Sequence, residues 1–249
     1  MDTTLPHQQP VKTKRKKKPL YGNAPWYFGF GLLVILAGFY NSFLMQFGTT
    51  DNKHQFHGVA ALSWMLLLIV QPLLTAKGTL KWHRVLGKIS FVLVPFVIFS
   101  VCIMEQTMIA SKAHYPPNSV YQLAFVDFLS LVQFLYFYVM AIVTRRKIQE
   151  HARYMAATVF IFIIPGLGRL LFLIPAINSF NRTLNVSYFL TELALLALIW
   201  DDHRGGKIRK PYVIALAMFA IQHVLLNFIV GYQPWERLMD AYAGLSIFH

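Results

Sequence analysis

The 249-residue chain has a single cysteine, Cys102. One thiol excludes an internal disulfide framework and any zinc or iron–sulfur site built on cysteines. Acidic residues are scarce as well: ten Asp and Glu stand against 23 Lys and Arg, and charged residues of both signs make up only 13%. The sequence contains no Gly-rich phosphate loop, no H-E-x-x-H and no CxxC, which removes the common nucleotide, zincin and redox motifs. No serine sits in a nucleophile-elbow context. No internal repeat stands out, which weighs against a two-fold transporter architecture.

Apolar residues fill the space. They make up 56% of the chain, with 21 Phe, the composition of a multi-pass membrane protein rather than of a soluble domain. A bilayer core needs about 20 apolar residues of helix. Seven runs meet or approach that length: Trp26–Phe47, His57–Thr75, Val85–Ala110, Val120–Thr144, Ala152–Ile177, Val186–Trp200 and Tyr212–Gly231. The first is too long for a signal-peptide core and lacks a cleavage site of small residues, so it is read as uncleaved. The expected fold is an all-α integral membrane bundle of seven transmembrane helices over residues 20–249. Residues 1–19 form a polar arm ending in KTKRKKKP, expected to be disordered.

Charge orients the bundle. The arm carries six Lys/Arg, and the stretches 76–88, 144–153 and 201–210 carry four each; Lys53, Lys112, Arg182 and Arg237 lie on the other face. That bias of 18 to 4 places the N-terminus in the cytoplasm and the C-terminus outside, as expected in a bacterial cytoplasmic membrane. Basic charge spread over every cytoplasmic loop fits anionic lipid headgroups and excludes nucleic acid as the partner. Trp26, Trp82, Trp200 and Trp235 fall at helix ends, where they are expected to anchor at the interface. Trp64 lies inside a span, on one stripe with His57 and Gln71 that should face the bundle.

The His-Gly opening of the second span, its HRVLGK turn, and the later EHARYMAATVFIFIIPGLGRLLF resemble a group of uncharacterised bacterial multi-pass membrane proteins with an HR-x-LG turn. The resemblance covers roughly residues 55–175 and implies membrane location, with no activity to transfer. A distant similarity to b-type cytochrome membrane domains would imply haem.

Few ionisable residues lie inside the spans: Glu105, Asp127, Arg169, Glu192 and His223, with His57 at a helix mouth. A charge at the bilayer centre costs at least ~3 kcal/mol on insertion scales, so such groups face the interior and pair. Counted from the outer helix ends, the five lie ~7–12 Å deep at about 1.5 Å per residue. One shared site in the outer half is the economical reading. Arg169 is expected to pair with a carboxylate, and Pro165-Gly166-Leu167-Gly168 before it to bend or break the fifth helix. His223 and Asn227, spaced i, i+4, should project together.

Each feature also has a structural explanation. Arg169 could be an interhelical tie, His57 a cap, and His223–Asn227 a hydrogen-bonded pair of the kind that joins membrane helices. Gln122 and Gln133 read as packing contacts. The pairs His83-Arg84, His151-x-Arg153 and His203-Arg204 read as headgroup contacts and caps, and Asn181-Arg-Thr and Asn185-Val-Ser as outer-face glycosylation sequons.

Four functions fit these residues. A metal-dependent enzyme acting on a lipid-like small molecule would bind a divalent metal through His57, Asp127 and His223. Glu105 or Glu192 would be its base, with Arg169 as the third catalytic group. A haem b electron carrier would use His57 and His223 as axial ligands. A proton-coupled transporter would use the carboxylates as a relay. A structural or assembly protein would need the polar groups only as ties.

Overall fold

Residues 22–245 are described by a computed structural model; the basic arm 1–19 lies outside them. Among the described residues the chain is all-helical: α1 (Ala24–Gly38), α2 (Asn52–Ala76), α3 (Leu80–Ala110), α4 (Ser119–Val143), α5 (Ile148–Leu171), α6 (Phe180–Arg204), α7 (Lys210–Phe228) and α8 (Gln233–Ala243). The six helices α2 to α7 are long and apolar enough to cross a membrane. Their outward faces carry Phe91, Phe96, Leu190, Leu225 and Phe228, all exposed, as a lipid-facing surface requires.

Local chemistry sets the ends. Asp51 caps α2, its carboxylate accepting from the backbone N–H of Lys53 and His54 at 2.9 Å each. Pro25 and Pro211 occupy first-turn positions of α1 and α7, where no backbone donor is needed. Gly78 and Gly206, at φ 74° and 88°, take the left-handed conformation that ends a helix and turns the chain back. The turns after α2, α4 and α6 therefore gather at one end of the bundle, here the basic end. The opposite end carries the turns after α3 and α5, and α8.

The first apolar run departs from expectation. It forms only 15 residues of α-helix, then a π-helical turn over Tyr40–Leu44. Glycine packs this segment in: a Cβ on Gly38 would fall 2.7–2.8 Å from the carbonyl carbon and Cα of Gly166 in α5. Gly58 of α2 meets the Phe43 ring in the same way. The expected break in the fifth helix does not occur, since α5 runs unbroken through Pro165 to Leu171. The glycine at 166 is there for the α1 crossing; small residues let membrane helices approach closely.

Helix α5 is central and packs against α1, α2, α4, α6 and α7. On one side Trp64, fully buried, packs with Met65, Phe134 and Val159 and donates to the Thr158 hydroxyl at 3.2 Å. The stripe from His57 to Gln71 thus faces inward as expected. On the other side Phe137, Ala157, Tyr188, Phe219 and Leu226 form a second core.

Two features escaped the sequence. Helix α8 folds back onto α3 and α4. Trp235, expected as an interfacial anchor, instead donates to the Tyr121 carbonyl at 2.8 Å and packs on Phe125. Trp26, Trp82 and Trp200 are exposed, as anchors are. At the basic end Arg153 is buried and grips Asp202 of α6 through Nε at 2.9 and 3.0 Å and through a guanidinium nitrogen. The expectation that Arg153 meets lipid headgroups is therefore corrected, whereas His151 does act as a cap, binding the Ala141 carbonyl at 2.8 Å.

Candidate functional site

Five of the six ionisable residues lie toward the α8 end, and Glu192 lies at the middle of α6. His57 is the sixth residue of α2, and Glu105 is sixth from the end of α3. Asp127 is the ninth of α4, and Arg169 third from the end of α5. Glu192 is the thirteenth of α6, and His223 sixth from the end of α7. Depths differ from expectation because helix ends differ. Helix α2 begins at Asn52, so His57 is a full turn inside rather than at a mouth. Helix α5 stops at Leu171, so Arg169 is shallow; α6 starts at Phe180, so Glu192 is deep.

Two of the six are bonded directly. His223 Nδ1 lies 2.8 Å from Glu192 Oε1, and its Nε2 lies 3.1 Å from Asn185 Oδ1. Asn185 Oδ1 also accepts from Asn227 Nδ2 at 2.9 Å, and Asn185 Nδ2 donates to the Asn181 carbonyl at 2.8 Å. These bonds fix the Asn185 amide, so both imidazole nitrogens face acceptors. Such a ring is satisfied either as an imidazolium against a carboxylate or as a neutral imidazole against a protonated Glu192. The pair therefore shares a proton. Tyr188 stacks on the His223 ring at 5.3 Å and 24°. Asn185 is half-buried and spends its side-chain amide on this network with the exposed Asn181 and Asn227.

The other four are not paired with one another. Arg169 was expected to pair with a carboxylate; among the described residues no carboxylate lies within salt-bridge reach of it. Its Nη1 donates to the Pro165 carbonyl at 3.0 Å, and its guanidinium sits 4.0 Å from the centre of the Phe39 ring. It remains an electrostatic neighbour of Asp127 and His57. Glu105, 6% exposed, has one oxygen buried with no hydrogen-bond partner, and it lies within electrostatic reach of Asp127. His57 Nδ1 donates to Ser100 Oγ at 3.1 Å, because that hydroxyl spends its own proton on the Val97 carbonyl. His57 Nε2 is left as an acceptor.

The proposed metal set does not assemble. Among the described residues no three His, Cys, Asp or Glu come together to hold a metal ion. His223, moreover, has both nitrogens engaged, so binding either a metal or haem iron would first break the Glu192 or Asn185 bond.

Sequence reasoning also undervalued the glutamines. Gln133 donates to Gln222 Oε1 at 2.7 Å, and Gln222 donates to the Val126 carbonyl at 2.9 Å. Gln122 donates to the Leu226 carbonyl at 3.0 Å. They tie α4 to α7 alongside the ionisable residues. Their i, i+11 spacing on α4 was the available signal.

No protein-family model, curated protein or solved structure matches this chain.

Proposed function

We propose that the chain is a seven-span membrane protein that couples solute movement to the proton held by Glu192 and His223. The observation that carries this is the two-sided engagement of the His223 ring by Glu192 and Asn185. A carboxylate and an imidazole sharing a proton inside a bundle form a unit able to accept and release it. The seventh span would be α1 extended through its π-helical turn: residues 24–44 cover ~30 Å at about 1.5 Å per residue, the thickness of a bilayer core. The 18-to-4 bias of basic residues supports a cytoplasmic N-terminus, an outer C-terminus, and basic loops resting on anionic headgroups.

Two measurements test this. Reporter fusions at residue 80 and at the C-terminus should report opposite sides of the membrane; agreement between them refutes the topology. Proteoliposomes with an internal pH dye should admit protons when an inward gradient is imposed, and Glu192→Gln should abolish that entry. Wild-type vesicles as tight as protein-free ones would refute the proton reading.

A further inference from the structure

The two sides of the His223 ring are unequal. Nδ1 faces the Glu192 carboxylate at 2.8 Å, and Nε2 faces the neutral amide oxygen of Asn185 at 3.1 Å. While the pair holds its proton, both contacts are bonds. Once the proton is given up, one ring hydrogen remains for two acceptors, and one contact must fail. A charge-assisted hydrogen bond is roughly twice as strong as one between neutral groups. The remaining hydrogen therefore stays on Nδ1 against Glu192, and Nε2 is the nitrogen left bare. Tyr188 of α6 stacks on the ring. Helices α4 and α5, also packed on α7, carry Asp127 and Arg169 toward the same end, and among the described residues neither bonds to it.

Asn185 can satisfy a bare Nε2 by turning its amide over, so that Nδ2 becomes the donor. Its neighbours hold it against that turn. Asn185 Nδ2 donates to the Asn181 carbonyl at 2.8 Å, and a turned amide would set its oxygen against that carbonyl, acceptor on acceptor. Asn185 Oδ1 accepts from Asn227 Nδ2 at 2.9 Å, and Asn227 Nδ2 is itself fixed by donating to the His223 carbonyl at 2.9 Å. A turned amide would set donor on donor there. Asn185 is the sixth residue of α6 and Glu192 the thirteenth, so Nε2 is engaged from the α8 end and Nδ1 from the middle of the bundle. The exposed Asn181 and Asn227 continue from Asn185 toward the α8 end.

We propose that the proton leaves the pair from His223 Nε2, past Asn185 and toward the α8 end, and that Asn185 is the positioning residue controlling its release. This rests on the proton-coupled reading above and names the atom and the end of the bundle at which the proton is exchanged. The Nε2–H bond breaks, its proton passes to water at that end, and its electron pair stays on Nε2. The imidazolium becomes a neutral imidazole, and Glu192 remains a carboxylate bonded to Nδ1–H. While the two other asparagines hold the Asn185 amide in place, its oxygen opposes the bare nitrogen and draws the proton back. Release is complete when the amide turns, which breaks its ties to Asn181 and Asn227.

The test uses nitrogen magnetic resonance of the full chain in detergent, isotope-labelled in its histidine and asparagine side chains, with the His223 ring identified by its contact with Tyr188. As pH rises, the Nε2 signal should move to that of an unprotonated nitrogen while Nδ1 keeps its hydrogen, and the Asn185 amide signal should shift in step. Loss of the hydrogen from Nδ1 with Nε2–H retained would overturn the inference, as would an Asn185 amide indifferent to the change. These spectra need no variant. In proteoliposomes, Asn185→Leu removes the acceptor that supports the loaded ring and should slow proton entry about tenfold or more, as loss of a hydrogen bond to a charged group does. Asn185→Asp keeps an acceptor and should restore entry. Unchanged entry in Asn185→Leu would overturn the positioning role. Tight vesicles whose protein still loses the hydrogen from Nε2 refute the proton coupling alone, and proton entry with the hydrogen lost from Nδ1 refutes this inference alone.

Discussion

Replacing Gly38 with alanine should pry α1 from α5. The added Cβ would fall 2.7 Å from the Gly166 carbonyl carbon and 2.8 Å from its Cα, and closer still to its oxygen. Carbon contacts settle at about 3.5–4 Å. The obstruction is backbone, so no rotamer change relieves it, and the helices must separate by roughly an ångström at the crossing. Overpacking of this kind costs about 1–3 kcal/mol. No side-chain hydrogen bond joins α1 to α5 among the described residues, so packing alone holds the contact. Gly29→Ala is the internal control: nothing lies within 4 Å of its added Cβ, and alanine has the better helix propensity, by up to ~1 kcal/mol. Titration with sodium dodecyl sulfate in mixed micelles, followed by circular dichroism, should show an earlier midpoint for Gly38→Ala and an unchanged or later one for Gly29→Ala. Equal midpoints would refute the close crossing, and with it the account of why glycine stands at 38 and 166.

Arg153→Ala should be severe, since it strands the buried Asp202 carboxylate; removing one partner of a buried pair costs about 3–5 kcal/mol, and Asp202→Asn should cost less in the same micelle titration. At the other end, the Lys112 ammonium, 2.6 Å from Asp240, holds the Asp240 carboxyl below its usual range, and Asp240 in turn holds Lys112 above its own. This contribution is present above the usual aspartate value and lost as pH falls through and below it, and lost again as pH rises past the ordinary lysine value. Both groups are half exposed, so the effect is under ~1 kcal/mol. Trp235 fluorescence should report α8 loosening below about pH 4, and Asp240→Asn should remove that dependence. Asp51→Ala removes the α2 cap, at about 1 kcal/mol, and should speed amide exchange at Lys53 and His54 while leaving the middle of α2 protected.

The long helices were legible because lipid leaves few choices: a run such as Val120–Thr144 can satisfy its backbone only as helix. The placement of Glu105, Asp127, Arg169, His57 and His223 nearer one end was legible from the helix ends, whereas Glu192 falls at the middle of α6. Partners were not. Arg169 has a carboxylate as its electrostatic neighbour yet bonds to its own Pro165 carbonyl and Phe39, a choice made by rotamer and helix crossing that no spacing encodes. Gly38 and Gly166 are far apart in sequence, and Gly166 beside Pro165 reads as a kink. Arg153 and Asp202 lie near helix ends, where charge is ordinarily solvated. Helix α8 is short and amphipathic, too polar for a span, and Trp235 at its start looks like any interfacial tryptophan.

The glutamine ties have a mechanical consequence. Five side-chain hydrogen bonds from Gln122, Gln133 and Gln222 cross between α4 and α7. Between α3 and α4, among the described residues, the direct helix-to-helix bond is Ser90 to Tyr138, toward the basic end. Each such bond in a membrane is worth about 0.6 kcal/mol, so the α4–α7 seam is joined directly, whereas at the end away from Ser90 the α3–α4 seam is joined through α8, by Trp235 to the Tyr121 carbonyl, Gln106 to the Tyr242 carbonyl and Tyr242 to the Cys102 carbonyl. Removing α8 would therefore open that end of the α3–α4 seam while leaving α4 and α7 joined.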